Sequence, residues 1–142
     1  MLFRSQQPTP FKQWTPFDVV AHLHASDEVA LLSIEDPAAF VVMRQGRNPN
    51  ATRARFTKRP RDGVDTQDPR ELLQRWQALL ARLCDRLNAA DPDARFEWFG
   101  PNMGARMFAT ARQMETWRTR RTCTTCCSGR ACTPTEIGRA HV

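Results

Sequence analysis

The chain has 142 residues, of which 41% are hydrophobic and 25% are charged, with 21 basic and 15 acidic side chains. This length and composition suit one globular domain and exclude an intrinsically disordered protein. No stretch approaches eighteen consecutive apolar residues, and no charged-then-apolar leader opens the chain. We therefore expect a cytoplasmic protein that makes no membrane contact.

The net charge of +6 is concentrated near the C-terminus. Residues 118–142 carry five arginines and one glutamate, whereas residues 6–117 carry 15 basic and 14 acidic side chains. Four of the five cysteines, Cys123, Cys126, Cys127 and Cys132, lie in the same C-terminal segment. A nucleic-acid-binding surface or a zinc module would therefore have to lie there.

The spacing of these cysteines argues against a zinc module. A structural zinc site pairs two Cys-x-x-Cys-type units across a dozen or more residues, so that the chain can surround a tetrahedral ion. Here the four thiols lie within ten positions, and few apolar side chains lie between Trp117 and Ile137. We therefore expect no nucleic-acid partner.

Both ends of the chain resemble translated sequencing adapter. A common short-read adapter can encode residues 136–142, and its reverse complement can encode residues 1–5. We expect residues 1–5 to be adapter-like and residues 118–142 to be frameshifted and adapter-like, with a partial helical domain at residues 6–117. The polar tail should be disordered, or should add at most a few helical turns beyond Trp117.

The first half of residues 6–117 predicts two helices and a loop. Thr15 is a candidate N-cap, and Pro16 suits the first helical position of a helix whose apolar spacing continues to about Leu31. A second, short helix is predicted over residues 38–43. Residues 46–65 are polar, rich in arginine and interrupted by glycine and proline, which predicts a long loop.

The second half predicts two further helices. Asp68 caps a helix that runs to about Ala90 with one apolar stripe, on which Cys84 reads as a small core residue. Residues 96–101 predict a short extended or turn segment. A final helix is predicted from about Met103 to Trp117. The sequence thus predicts an all-α fold, with antiparallel helices forming a bundle.

Three segments carry motifs that are specific at their length. They are Pro8-Thr-Pro10 with Trp14-Thr-Pro-Phe-Asp18, Ala21-His22-Leu23 and Asp27-Glu28; then Asp36-Pro-Ala-Ala-Phe40; and Trp98-Phe-Gly-Pro101 with Met103 and Phe108-Ala-Thr-Ala-Arg112-Gln-Met-Glu115-Thr-Trp117. Together they resemble the metal-binding domain of mycothiol-dependent maleylpyruvate isomerases, and more closely its uncharacterised actinobacterial relatives. The matching family blocks are the PTP stretch, the GWT-x-x-D helix start, the AHL triplet, WFGPPM and FATARLMETWAH.

The resemblance implies a DinB-like four-helix bundle that holds one divalent metal, usually zinc. The family's ligands are the His of the AHL triplet and the Glu and His of the ETWAH block, which implies His22 and Glu115 here. A Glu and a His four apart share one helix face and can bind one ion together. The third position holds Thr119, which cannot replace imidazole as a zinc ligand, so the site as written is incomplete.

The mismatch at position 119 has an expected cause in the reading frame. A frame beginning at the last base of the Trp117 codon permits Ala-His, as the family continues, so the loss of one base would produce the present tail. The chain also begins directly at the PTP stretch. We therefore expect a fragment that lacks the family's first helix and exposes an apolar groove along the remaining helices.

In the family, the metal lowers the pKa of the low-molecular-weight thiol mycothiol, which then attacks a small-molecule substrate. Arg112, one helical turn before Glu115, is a candidate for holding an anionic substrate or cosubstrate, and a salt-bridged arginine is the alternative interpretation. His22 and His24 face different directions on one helix, so His24 should point away from the metal. Because the fragment's site is incomplete, enzymatic activity stays open, and the alternative is a metal-free helical-bundle binding module.

Overall fold

The computed structural model describes residues 8–9, 12–46 and 59–128, with side chains described as far as residue 119. Within these ranges the protein is largely helical, which confirms the all-α prediction. The elements are α1 (Pro16–Glu35), α2 (Pro37–Gln45), a 3₁₀ turn (Pro60–Gly63), α3 (Pro69–Ala89), strands β1 (Arg95–Phe96) and β2 (Met103–Gly104), and α4 (Ala105–Ser128).

Helix α1 is the central element, because it contacts α2, α3, α4 and the 3₁₀ turn. Its predicted start is confirmed by a capping box, in which Thr15 and Asp18 each bind the other's backbone N–H. Asp68 caps α3 as predicted, since its side chain accepts a hydrogen bond from the backbone N–H of Arg70. Two of the predicted helices therefore begin where their capping residues place them.

The core lies on both sides of α1 in two clusters. Near the C-terminal end of α1, buried aromatic and aliphatic side chains join α1, α3, α4 and the β1–β2 hairpin. The members of this larger cluster are Ala30, Leu31, Leu83, Phe96, Ala105 and Phe108. The second cluster, of Phe17, Ala21 and Leu72, joins the start of α1 to α3. The two clusters hold α3 and α4 against α1.

Cys84 is exposed, and the prediction of a core position for this residue was wrong. Helix α3 fully buries only the line through Leu72 and Leu83. Cys84 follows Leu83 directly and is therefore turned about 100° around the helix axis, away from that line. The apolar stripe of the sequence is wider than the surface that α3 buries.

An apolar strip is exposed on α4. Met107, Met114 and Trp117 have 64%, 56% and 50% of their surface accessible, whereas Phe108 on the other side of the helix is fully buried. An exposed apolar surface is what the missing-helix interpretation predicts, and that interpretation stays a prediction. No helix within the described residues is long and apolar enough to cross a membrane.

Helix α4 continues about three turns beyond Trp117, within the limit expected for the tail. The side chains of Cys123, Cys126 and Cys127, and all of residues 129–142, lie outside the described part of the chain. The adapter-like residues 1–5 and most of the predicted loop, residues 47–58, also lie outside it. At the described end of that loop, the 3₁₀ turn packs against α1.

Candidate functional site

The structure brings His22 and Glu115 together, although they are 93 positions apart in the sequence. Nε2 of His22 on α1 lies 2.9 Å from Oε1 of Glu115 on α4, which is hydrogen-bonding distance. About one third of each side chain is accessible, 34% for His22 and 37% for Glu115. The pair therefore lies at a partly open position, where solvent or a small molecule can reach both groups.

The segment before α1 covers one face of the His22 ring. The ring of Trp14 lies 5.2 Å from the imidazole, centroid to centroid, at an angle of 51°. The backbone N–H of Thr9 donates to the carbonyl of Trp14, and Lys12 and Gln13 both adopt left-handed backbone conformations with φ of 51° and 57°. Left-handed conformations are unfavourable for such residues, so this turn places Trp14 against His22 at a conformational cost.

Thr119 lies one helical turn beyond Glu115, at the position where the family resemblance expects a second histidine. Its side chain is buried, with 7% of the residue accessible. The i and i+4 spacing puts it on the same face of α4 as Glu115. Among the described residues, no group of three or more His, Cys, Asp or Glu side chains is placed to hold a metal ion.

His22 and Glu115 are nonetheless compatible with one shared ion. Two ligands of a tetrahedral zinc ion, with bonds of about 2.0–2.2 Å, lie roughly 3.3 Å from each other. The observed separation of 2.9 Å would have to grow by only about 0.4 Å, which small side-chain rotations provide. Two of the three protein ligands implied by the resemblance therefore fit a metal, and Thr119 does not.

Arg112 is engaged in an ion pair with Asp27 of α1. Its Nε and Nη2 donate to Oδ1 of Asp27 at 3.0 and 2.8 Å, and Nε1 of Trp76 on α3 donates to Oδ2 at 2.9 Å. Asp27 is completely buried and Arg112 nearly so. This is the salt-bridged state expected as the alternative for Arg112, and a ligand-holding role for this residue stays a prediction.

A second buried carboxylate, Asp18, lies one turn before His22 on α1. Arg61 of the 3₁₀ turn donates to both of its oxygens, at 2.7 and 2.9 Å, and also to the hydroxyl of Thr15. Burial alone would raise the pKa of Asp18, but the hydrogen bonds from Arg61 and Thr15 outweigh it and hold this pKa at about 2. The ion pair attaches the 3₁₀ turn to the start of α1.

The lowered pKa of Asp18 predicts a loss of stability in acid. The stabilising contribution of the ionised carboxylate is complete above about pH 4 and disappears as the pH falls towards 2. A shift from 3.8 to about 2 corresponds to roughly 2 kcal/mol of unfolding free energy. In urea titrations from pH 7 to pH 2, Asp18→Asn should lose most of this pH dependence, and Asp85→Asn, at an exposed position of α3, should retain it. Equal pH profiles for Asp18→Asn and the unaltered chain would contradict the assignment.

His24 makes a separate contact, in keeping with the expectation that it faces away from His22. Its Nδ1 lies 3.5 Å from Glu28, one turn later on the same helix. Sequence analysis missed the roles of Asp27 and Arg61. A signal for Asp27 was present, because it occupies the apolar face of α1 between Leu23 and Ala30, where a carboxylate needs a buried partner. No comparable pattern marks Arg61 within its arginine-rich segment.

Comparison with known proteins places these residues in a wider context. The family model described as the mycothiol maleylpyruvate isomerase N-terminal domain matches residues 4–118. Two uncharacterised proteins of Mycobacterium tuberculosis, from strains CDC 1551 / Oshkosh and ATCC 25618 / H37Rv, are each 36% identical over 114 residues. These matches cover 80% of this chain and 44% of each relative, so the chain spans less than half the length of those proteins. No solved structure gives a significant match.

Proposed function

The chain belongs to the family of mycothiol maleylpyruvate isomerase N-terminal domains, and we propose that His22 and Glu115 are ligands of a divalent metal, zinc in the first instance. In this proposal the domain serves a thiol-dependent isomerase or transferase acting on a small molecule. Mycothiol is the proposed thiol cosubstrate, as the family name suggests. The substrate-bearing part of the protein is not assigned.

The observation that carries the proposal is the contact between His22 and Glu115. An imidazole nitrogen and a carboxylate oxygen are the donor types that zinc binds, and they converge here from different helices. Side chains that project inward from facing helices form the metal sites of other helical bundles. The partial exposure of both groups would leave ligand positions open to water or a thiolate.

Each residue has a distinct part in the proposed site. When bound, the metal lowers the pKa of a coordinated thiol, which makes the thiolate available at neutral pH. Nε2 of His22 binds through its lone pair, so its proton must lie on Nδ1. Trp14 restricts the orientation of the imidazole by packing against it. For Arg112 to hold an anionic ligand it would have to use Nη1, because Nε and Nη2 are bound to Asp27.

The site of this chain would bind zinc weakly, because only two of the three protein ligands are present. A threonine hydroxyl does not ionise near neutral pH and is a poor substitute for imidazole. Residue 119 lies on the correct helix face, one turn after Glu115, so the deficiency is one of side-chain chemistry. We derive no reaction step through the metal for the chain as written.

Elemental analysis of three purified proteins tests the proposal. The unaltered chain should retain little zinc after dialysis, whereas Thr119→His should retain about one zinc ion per chain, because it supplies the third ligand. Adding His22→Ala to Thr119→His should abolish retention, and adding His24→Ala should not. Thr119→His without stoichiometric metal, or retention of zinc without His22, would show that the pair is not a metal site.

The second candidate function is a metal-free helical module that binds a partner without catalysis. The observation in its favour is that no three-ligand group is found among the described side chains. In that case the contact between His22 and Glu115 is a structural hydrogen bond between α1 and α4. The same zinc measurement separates the two functions, since this alternative predicts no metal in any of the variants.

A further inference from the structure

We propose that Asp27 is a positioning residue, which holds α4 on α1 in the one register that lets Glu115 reach His22. The inference deepens the proposed function, since it concerns the geometry of the same pair. Asp27 accepts two hydrogen bonds from Arg112 on α4 and one from Trp76 on α3. It therefore links three helices through a single buried carboxylate.

The two polar contacts between α1 and α4 follow one another along the helices. His22 pairs with Glu115, and Asp27, further along α1, pairs with Arg112, which is earlier on α4. This order is that of an antiparallel helix pair with two polar rungs. Rotating α4 by one residue, about 100°, would turn both Arg112 and Glu115 away from their partners. The two contacts consequently depend on the same register.

The Asp27 rung is the more restrictive of the two. Asp27 is completely buried, and 11% of the Arg112 side chain is accessible, so a broken pair would leave charges away from water. The planar guanidinium, with two donors on one oxygen, also fixes direction as well as distance. Apolar contacts such as those of Phe108 allow small sliding and rotation, which the ion pair does not.

The other strong ion pairs of α1 bind different elements. Asp18 pairs with Arg61 of the 3₁₀ turn, and Glu35 pairs with Arg82 and Arg86 of α3. Neither carboxylate has a recorded ion pair with α4 among the described residues. Glu35 therefore offers a matched control, since it lies on the same helix and accepts charged hydrogen bonds without touching the helix that carries Glu115.

Buried ion pairs contribute little net stability compared with well-packed apolar side chains, and their loss as a pair can leave a protein folded. This property allows positioning to be separated from stability. The double variant Asp27→Leu/Arg112→Met removes both charges while keeping apolar volume at the contact. Arg112→Lys is a milder variant, because it keeps a positive charge beside Asp27 but lacks the planar two-donor geometry.

The experiment is a nuclear Overhauser measurement between the ring protons of His22 and the side-chain protons of Glu115. We expect the cross-peak in the unaltered chain and in Glu35→Gln, a reduced intensity in Arg112→Lys, and its loss in the double variant. Circular dichroism melting establishes that each variant is folded. A full-intensity cross-peak in Arg112→Lys, or any cross-peak retained in a folded double variant, would overturn the positioning role.

A second measurement connects the inference to metal binding without depending on it. In the Thr119→His background, Asp27→Asn should weaken zinc affinity by about 10- to 100-fold, the usual effect of losing a group that orients a ligand. Glu35→Gln should leave the affinity unchanged. If Thr119→His binds no zinc, the proposed metal site fails while the Overhauser result still decides the positioning role. Equal zinc affinities for Asp27→Asn and Glu35→Gln in a zinc-binding background would also overturn that role.

Discussion

Zinc should raise the melting temperature of the Thr119→His variant by roughly 10–20 °C and should leave that of the unaltered chain nearly unchanged. A ligand that binds only the folded state at about 1,000 times its Kd adds about 4 kcal/mol to the free energy of unfolding. For a domain of this size, each kcal/mol moves the melting temperature by roughly 3–5 °C. The ligands come from α1 and α4, so the metal should oppose separation of these helices.

The measurement is thermal unfolding followed by circular dichroism, with and without zinc. A chelator should reverse the increase, and Thr119→His/His22→Ala should show no response. Thr119→Ser is a matched control, since it keeps a hydroxyl at the buried position and adds no ligand. A zinc response in Thr119→Ser, or one that survives the loss of His22, would mean that zinc binds elsewhere on the chain.

The starts of the helices were predictable because their determinants are local. Thr15 and Asp68 satisfy the first backbone N–H groups of α1 and α3, and a proline follows each of them in the helix. Such patterns lie within four residues of sequence. The position of Cys84 was mispredicted for a related reason, because an apolar stripe shows which face can be buried but not how much of it a neighbour covers.

The pairing of His22 with Glu115 could be anticipated only through the family resemblance. Nothing in the spacing of the sequence relates two residues 93 positions apart. The choice of Arg112 as the partner of Asp27 was beyond sequence reasoning for the same reason, although the burial of Asp27 was not. A carboxylate on an apolar helix face announces that it needs a partner, but many arginines of this chain could supply one.

The aromatic cluster at the hairpin makes the largest predicted contribution of a single side chain to stability. Phe108 of α4 is completely buried, and its ring makes edge-to-face contacts with Phe96 at 5.3 Å and Trp98 at 5.1 Å. Replacing it by alanine should lower the free energy of unfolding by about 3–5 kcal/mol, because the transfer free energy is lost and a cavity remains. Aromatic pairing contributes about 0.5–1.5 kcal/mol for each such contact.

Urea unfolding measures this difference, and Met107→Ala is the matched control. Met107 is the preceding residue of the same helix and is largely exposed, so its loss should change the free energy of unfolding by no more than about 0.5 kcal/mol. A similar cost for both substitutions would mean that the exposed strip of α4 is covered in solution. A small cost for Phe108→Ala would instead mean that α4 is not seated on the hairpin. Because α4 carries Glu115 and Arg112, that result would also remove the support on which the contact with His22 depends.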